Sequence, residues 1–293
     1  MRAAASRVVS ASVPATSANL GPGFDSLGVA LELRNTVRAE PAERVEVVVE
    51  GEGAGRLPTG PENRVYQALA RAFAARGRPV PALRLVCVNR IPLARGLGSS
   101  AAAAVAGLAL GNRLLGDPLS ADELLALATE IEGHPDNVTP CLLGGLRAMA
   151  TENGRVLHCA VPTPAELAAV AFIPDFQLDT ARARAVLPTR VPFGDAVWNV
   201  SRTGLLVAAL AAGRLDLLRA ATADRLHQPY RPSRILDAVR AELPAGAVGA
   251  TLSGSGPSVI VWAEDEASCA AELERRFPDD QVLPLRISRD GAH

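Results

Sequence analysis

Pro92-Leu-Ala-Arg-Gly96-Leu-Gly98-Ser99-Ser100-Ala101-Ala102 stands between a run that reads as a strand, Leu83 to Val88, and an alanine-rich run, Ser99 to Leu115, that reads as a helix. Glycines at 96 and 98 let the backbone turn tightly and approach a ligand with no Cβ in the way. The serines then fall at the N-cap of the helix, where unpaired N–H groups and the positive end of the dipole favour an anion. A phosphate fits that place. An ordinary glycine turn with a serine cap is the plainer alternative for a short G-x-G, and Ala101 to Ala104 also suit close packing of the helix beneath the loop.

All 30 basic residues are arginine; the chain contains no lysine. A Walker A loop needs G-x-x-x-x-G-K-[ST] and is therefore excluded, so this loop must work through backbone donors and hydroxyls. The glycine spacing also fails the Rossmann dinucleotide fingerprint. Against the arginines stand 31 acidic residues, a formal net charge of −1, so no global field argues for a nucleic acid or an anionic membrane as partner. Cys87, Cys141, Cys159 and Cys269 are scattered, with no C-x-x-C pair, which argues against a zinc site or a disulfide framework. No apolar run reaches the roughly 18 to 20 residues that span a bilayer, and the N-terminus lacks a signal arrangement, so a cytoplasmic protein is expected.

Across 293 residues, an apolar share of 48% suffices for two ordinary domains or one large one. Arg7 to Ala11 and Arg44 to Glu50 read as further strands, and Asn63 to Arg76 as a helix. Ser120-Ala-Asp-Glu123 is a capping box opening a helix to about Ile131, with Gly133 as its stop. After Gly144-Gly145 and a short strand, Thr151 to Thr163 is turn-rich. Leu167 to Ile173 then opens a second series: helices at Ala196 to Leu210, Leu215 to Ala223 and Ile235 to Glu242, and strands at Val248 to Leu252 and Val259 to Trp262. The class is α+β, divided into domains 1–155 and 156–293.

Three motifs in order give the chain its resemblance to a known family. They are Pro14-Ala-Thr-Ser-Ala-Asn19-Leu-Gly21-Pro-Gly23-Phe-Asp25, the P-x-x-x-G-L-G-S-S-A-A string from Pro92, and Gly249-Ala-Thr-Leu-Ser-Gly-Ser-Gly-Pro257-Ser258. The sequence resembles the GHMP kinase superfamily over nearly its whole length. The first motif, Glu132-Gly-His134-Pro-Asp136-Asn137 and Gln228-Pro-Tyr-Arg231 are similar to the branch that acts on homoserine. The resemblance implies an N-terminal ribosomal-S5-like domain with a left-handed βαβ unit and a ferredoxin-like C-terminal domain, with the active site between them. It also implies a homodimer, ATP and Mg2+ as cofactors, and transfer of the γ-phosphoryl group to the hydroxyl of homoserine.

Residue by residue, the same resemblance implies ATP binding by Pro92, Leu93, Ala94, Arg95, Gly96, Leu97, Gly98, Ser99, Ser100, Ala101 and Ala102. Asn63, Val65 and Tyr66 would flank the adenine. Ser100 and a helix carboxylate would hold the metal; aligning T-E-I favours Glu130 over Glu132, and a carboxylate in a last helical turn gains from a nearby cation. Arg184 and Arg231 would clamp the acceptor's carboxylate, since guanidinium suits bidentate binding, and Asp25 would meet its ammonium group. Asn19, His134, Asp136 and Asn137 would line the same pocket. Asn137, Asp136 and Arg184 are the candidate catalytic residues, with Asn137 orienting the hydroxyl. Whether Asp136 is a general base stays open, and His134 is equally readable as a structural histidine near a turn. Ser253, Gly254, Ser255 and Gly256 would form a turn against the phosphate loop. A mevalonate- or shikimate-type kinase and a non-catalytic nucleotide-binding protein are the competing functions.

Overall fold

The computed structural model describes residues 8–177 and 180–293; Arg7, where the first expected strand begins, lies outside them. The first layer is a sheet built from β1 (Val9–Ala18), β2 (Leu27–Pro41), β3 (Glu46–Gly51), β4 (Leu83–Asn89), β5 (Leu146–Glu152) and β6 (Arg155–Val161). Its order is β3-β4-β2-β5-β6, with β1 antiparallel on β2. Between β3 and β4 runs α1 (Arg64–Ala74), joining two neighbouring parallel strands. The helices α2 (Ser99–Leu115), α3 (Ala121–Glu132) and α4 (Pro135–Leu143) cover the sheet.

Alternation in β1 sends Ala11, Val13 and Ala15 into the core, where they meet Val29, Leu31 and Val37 of β2. Helix α2 is apolar nearly all round, as a helix buried between a sheet and other helices must be. Its small residues let α1 approach closely: a Cβ on Gly107 would lie 2.2 Å from the Val65 carbonyl oxygen, and one on Gly111 2.8 Å from the Ala72 methyl. Ser120 caps α3 through the expected capping box, and Gly133 ends it with φ 86°.

The second layer holds β7 (Ala168–Ile173), α5 (Thr180–Ala185), α6 (Phe193–Ala211), α7 (Leu218–Ala221), α8 (Arg234–Ala241), β8 (Ala247–Leu252), β9 (Val259–Ala263), α9 (Glu266–Arg276) and β10 (Gln281–Leu285). Its sheet runs β10-β7-β9-β8 with every neighbour antiparallel, the ferredoxin-like order. Phe172 of β7 is fully buried and meets Phe277 edge-on, with ring centroids 5.0 Å apart.

Two expectations change. The stretch from Thr151 to Thr163 is not merely turn-rich: β5 and β6 form a hairpin across Asn153-Gly154, both with positive φ, 51° and 76°. Because β6 pairs with β5, the change of sheet falls between Val161 and Ala168 rather than at residue 155. Past β10 the chain returns to the first layer. Glu32 N–H donates to the Arg286 carbonyl at 2.9 Å, Gly145 N–H to that of Ser288 at 2.7 Å, and Ser12 N–H to that of His293 at 2.6 Å.

Candidate functional site

The loop from Pro92 to Gly98 leaves β4 and enters α2 with left-handed backbone at Ala94, Gly96 and Gly98 (φ 54°, 78° and 70°). Gly98, not a serine, is the N-cap; no side chain caps the first turn and no acidic residue lies in it, so the positive helix end is left for a ligand. The other two motifs fix the loop. Thr16 N–H donates to the Leu97 carbonyl at 3.1 Å, and Ser258 N–H to that of Arg95 at 3.3 Å. Ser253 Oγ donates to the Gly96 carbonyl at 2.7 Å.

The glycines are required by this contact. A Cβ at Gly96 would stand 2.4 Å from the Ser253 carbonyl oxygen, and one at Gly98 1.9 Å from Thr16 Oγ1. Gly98→Ala is expected to destabilise the fold by about 2–4 kcal/mol, a clash added to the left-handed strain. Gly55→Ala, at φ 71° with nothing within 4 Å, carries only the strain of about 1–2 kcal/mol. Urea denaturation of both variants checks the difference; equal losses would mean the loop yields to the methyl.

A cleft of about 1350 Å³ opens beside the loop, lined among others by Asn63, Val65, Leu93, Ala94, Ser99 and Ser100. It meets a smaller recess of about 120 Å³, lined by Asn19, Asp25, Arg95, Gly96, Gly98, Ser99, Ser100, Ala101, Glu132, His134, Asp136, Asn137, Arg184, Arg231, Gly254 and Ser255. Of the expected nucleotide residues, Pro92, Leu97, Ala102 and Tyr66 line neither space; Leu97 and Ala102 are core residues. Ser253 and Gly256 are buried and line neither space. Asn63 lines the cleft while capping α1, its Oδ1 accepting from Val65 N–H at 2.9 Å.

One end of the recess is ionic. Arg184 Nη2 spans both oxygens of Asp25, at 2.5 and 2.7 Å. The guanidinium groups of Arg184 and Arg231 lie 5.4 and 5.6 Å from the centroid of the Phe24 ring. Asp25 is aimed by a strained turn in which Asn19, Leu20 and Asp25 have positive φ, and Asn19 Oδ1 accepts from Asp25 N–H at 3.0 Å. Asn19 Nδ2 donates to the Gly254 carbonyl at 3.1 Å, tying the first motif to the third.

Arg231 is buried and held by residues the sequence did not point to. Its Nε donates to the Ala183 carbonyl at 3.0 Å, and its Nη1 to His227 Nδ1 at 3.1 Å. His227 in turn donates from Nε2 to the Gly21 carbonyl at 2.8 Å; burial lowers its pKa, which keeps Nδ1 an acceptor. Asp224 anchors that segment, accepting from Asn199 Nδ2 at 2.8 Å and from the N–H groups of His227 and Gln228 at 3.0 and 2.6 Å.

In the same recess, His134 Nδ1 lies 2.5 Å from Asp136 Oδ1, and Asn137 Oδ1 accepts from Thr16 Oγ1 at 2.8 Å. The hydrogen bond to Asp136 raises the His134 pKa; partial burial opposes it, Asp25 adds to it and Arg184 subtracts. A raised native pKa gives stability that is complete below the unfolded value of 6.5 and disappears as pH climbs past the native one. Thus His134→Gln is expected to cost more stability near about pH 5.5 than near about pH 8.5, measured by denaturation at both; an unchanged gap would refute the charged pair.

The two candidate carboxylates of α3 sit differently toward the loop. Glu130 is 61% exposed and paired with Arg71 at 2.7 Å, whereas Glu132 is 9% exposed and its Oε1 accepts from Ser100 Oγ at 2.8 Å. Two positions apart on a helix face opposite ways, so only one of them meets the loop. Arg64 Nη2 also rests on Glu132 Oε1. A hydroxyl and a carboxylate at the mouth of a phosphate site are the hard oxygen donors Mg2+ takes when phosphates and water complete its shell.

Residues 63–145 match the family of GHMP kinases N terminal domain, and residues 206–279 match GHMP kinases C terminal. The chain belongs to the GHMP kinase superfamily. It is 49% identical over 288 residues to a homoserine kinase of Moorella thermoacetica, covering 96% of this chain and 97% of that one, and 45% identical to one of Carboxydothermus hydrogenoformans, covering 96% and 94%. A crystal structure of homoserine kinase from Cytophaga hutchinsonii superposes with a TM-score of 0.88 at 30% identity, over 98% of this chain and 96% of that one.

Proposed function

We propose that this chain transfers the γ-phosphoryl group of ATP to the side-chain hydroxyl of L-homoserine, giving O-phospho-L-homoserine, a step of threonine biosynthesis. The observation that carries this reading is the ionic recess abutting an uncapped helix N-terminus. A small zwitterion supplies a carboxylate for Arg184 and Arg231 and an ammonium group for Asp25, exchanging the resident Arg184–Asp25 pair for its own charges. That exchange favours homoserine over mevalonate, which has no ammonium group.

The nucleotide lies in the large cleft with its phosphates at the first turn of α2. Ser100 and Glu132 would hold Mg2+, which would supply neutralisation of the phosphate charge. The hydroxyl oxygen bonds to the γ-phosphorus as the bond to the bridging oxygen breaks, ADP leaves, and the hydroxyl proton passes to water. Asp136 engages His134 and lies 3.4 Å from Asn137 Nδ2, an arrangement suited to positioning rather than proton abstraction. Asn137, seated on Thr16, orients the hydroxyl.

The reading extends to a cytoplasmic homodimer. Helix α6 exposes Phe193, Val197 and Val200 at helical spacing, an apolar stripe that a second copy would cover. No helix among the described residues is long and apolar enough to cross a membrane.

A coupled ADP-release assay over homoserine, mevalonate and shikimate tests the acceptor. Homoserine is expected to be turned over with the highest kcat/KM; an equal or better rate with mevalonate or shikimate overturns the substrate. ATP binding with no product from any of them overturns the kinase.

A further inference from the structure

A loosely bonded phosphoryl group in flight carries negative charge on three oxygens, and kinases commonly place a fixed cation against it. Lysine, the usual point charge in phosphate loops, is absent from this chain. The arginines around the recess are mostly engaged. Arg64 rests on Glu132, Arg184 on Asp25, and Arg231 on Ala183 and His227.

Arg95 differs. It is the one charged side chain of the loop itself, only 14% exposed, and it lines the recess together with Ser100, Asp136 and Asn137. Left-handed backbone on both sides, at Ala94 and Gly96, and the bond from Ser258 N–H to its carbonyl fix where it starts. Its Nη2 meets Asp175 at 3.2 Å, while Nη1 is buried with no hydrogen-bond partner among the described residues. A buried guanidinium nitrogen without an acceptor is costly in a folded chain unless a ligand supplies one. The ligand belonging in this place is anionic.

We propose that Arg95 is a further catalytic residue: its guanidinium donates to the transferring phosphoryl oxygens, taking the role a lysine holds in other phosphate loops. Asp175, on the segment that follows β7 and 97% exposed, is a positioning residue that holds Nη2 and leaves Nη1 for the ligand. Because the contact tightens as charge moves onto the phosphoryl oxygens, it acts on kcat more than on ground-state affinity. The proposal rests on the kinase reading above.

The test compares the full-length chain with Arg95→Ala, Arg95→Lys and Asp175→Asn, after homoserine turnover by the parent is established; no turnover there would refute the kinase reading, separately from this one. Arg95→Ala is expected to lower kcat about 10²-fold, with the KM for homoserine and the Kd for ADP within about threefold of the parent. It should also lose the tight binding of ADP with aluminium fluoride, a mimic of the transferring group. Free guanidinium should restore part of the rate, Arg95→Lys should recover part of it, and Asp175→Asn should show a smaller loss of kcat. An Arg95→Ala kcat within about threefold of the parent overturns the proposal. So does a loss seen equally in ADP binding, or a loss that neither lysine nor added guanidinium repairs while the melting temperature falls.

Discussion

Glu132→Gln is expected to lower kcat at least about 10²-fold, while Glu130→Gln stays within about twofold of the parent. The amide keeps the size of Glu132 and still accepts from Ser100 Oγ, so the fold should survive. What disappears is the negative charge facing the phosphate site, and a hard divalent cation binds a neutral oxygen far less well. Glu130 is exposed and paired with Arg71, and surface pairs contribute about 0–1 kcal/mol, so little should change there. The check is steady-state turnover over a range of Mg2+ concentrations, joined to Mn2+ binding by electron paramagnetic resonance. Equal effects at the two positions would show that neither carboxylate holds the ion.

Arg231→Ala should raise the KM for homoserine about 10²-fold and leave that for ATP within about threefold. Removing one partner of a buried charge pair costs about 2–5 kcal/mol, which corresponds to that range. The guanidinium is pinned at Nε by Ala183 and at Nη1 by His227, so it would meet an incoming carboxylate already oriented. A stability loss of about 1–3 kcal/mol should accompany the change, since His227 Nδ1 is left buried without its donor. Arg231→Lys keeps the charge and loses the fork, and should recover less than half of the binding free energy. Isothermal titration with homoserine and with ADP separates these effects. A parallel loss of ADP affinity would place Arg231 on the nucleotide instead.

Local chemistry was legible wherever it was decided by neighbours in sequence. The span of α2, the Ser120 capping box, the Gly133 stop and the glycine loop follow from residues within one turn of one another. The β5–β6 hairpin was equally available, since Asn153-Gly154 is a strong two-residue turn signal, but the polar residues around it read as loop. The carboxylate that meets Ser100 was also available from period. Leu125 and Ala128 face inward on α3, and Glu132 continues that face, four residues beyond Ala128, whereas Glu130 points outward.

Other parts had no local signal. Nothing near Arg231 announces that His227 will seat its guanidinium, that Gly21 will fix the tautomer, or that Asp224 will hold the segment; these partners are up to 206 residues apart. Likewise β2 runs for 15 residues through Arg34-Asn35, where polar residues interrupt the strand pattern. Arg34 tolerates that place because it donates to the Ser12 and Gly291 carbonyls at 3.1 and 2.6 Å.

The return of residues 286–293 to the first sheet bears on how the chain is made. Ribosomal synthesis delivers the N-terminal half first, and domains generally fold as they emerge. Here the N–H groups of Ser12, Glu32 and Gly145 find their acceptors in the carbonyls of His293, Arg286 and Ser288. Those three N–H groups therefore stay without these acceptors until residues 286–293 have been made and have left the exit tunnel.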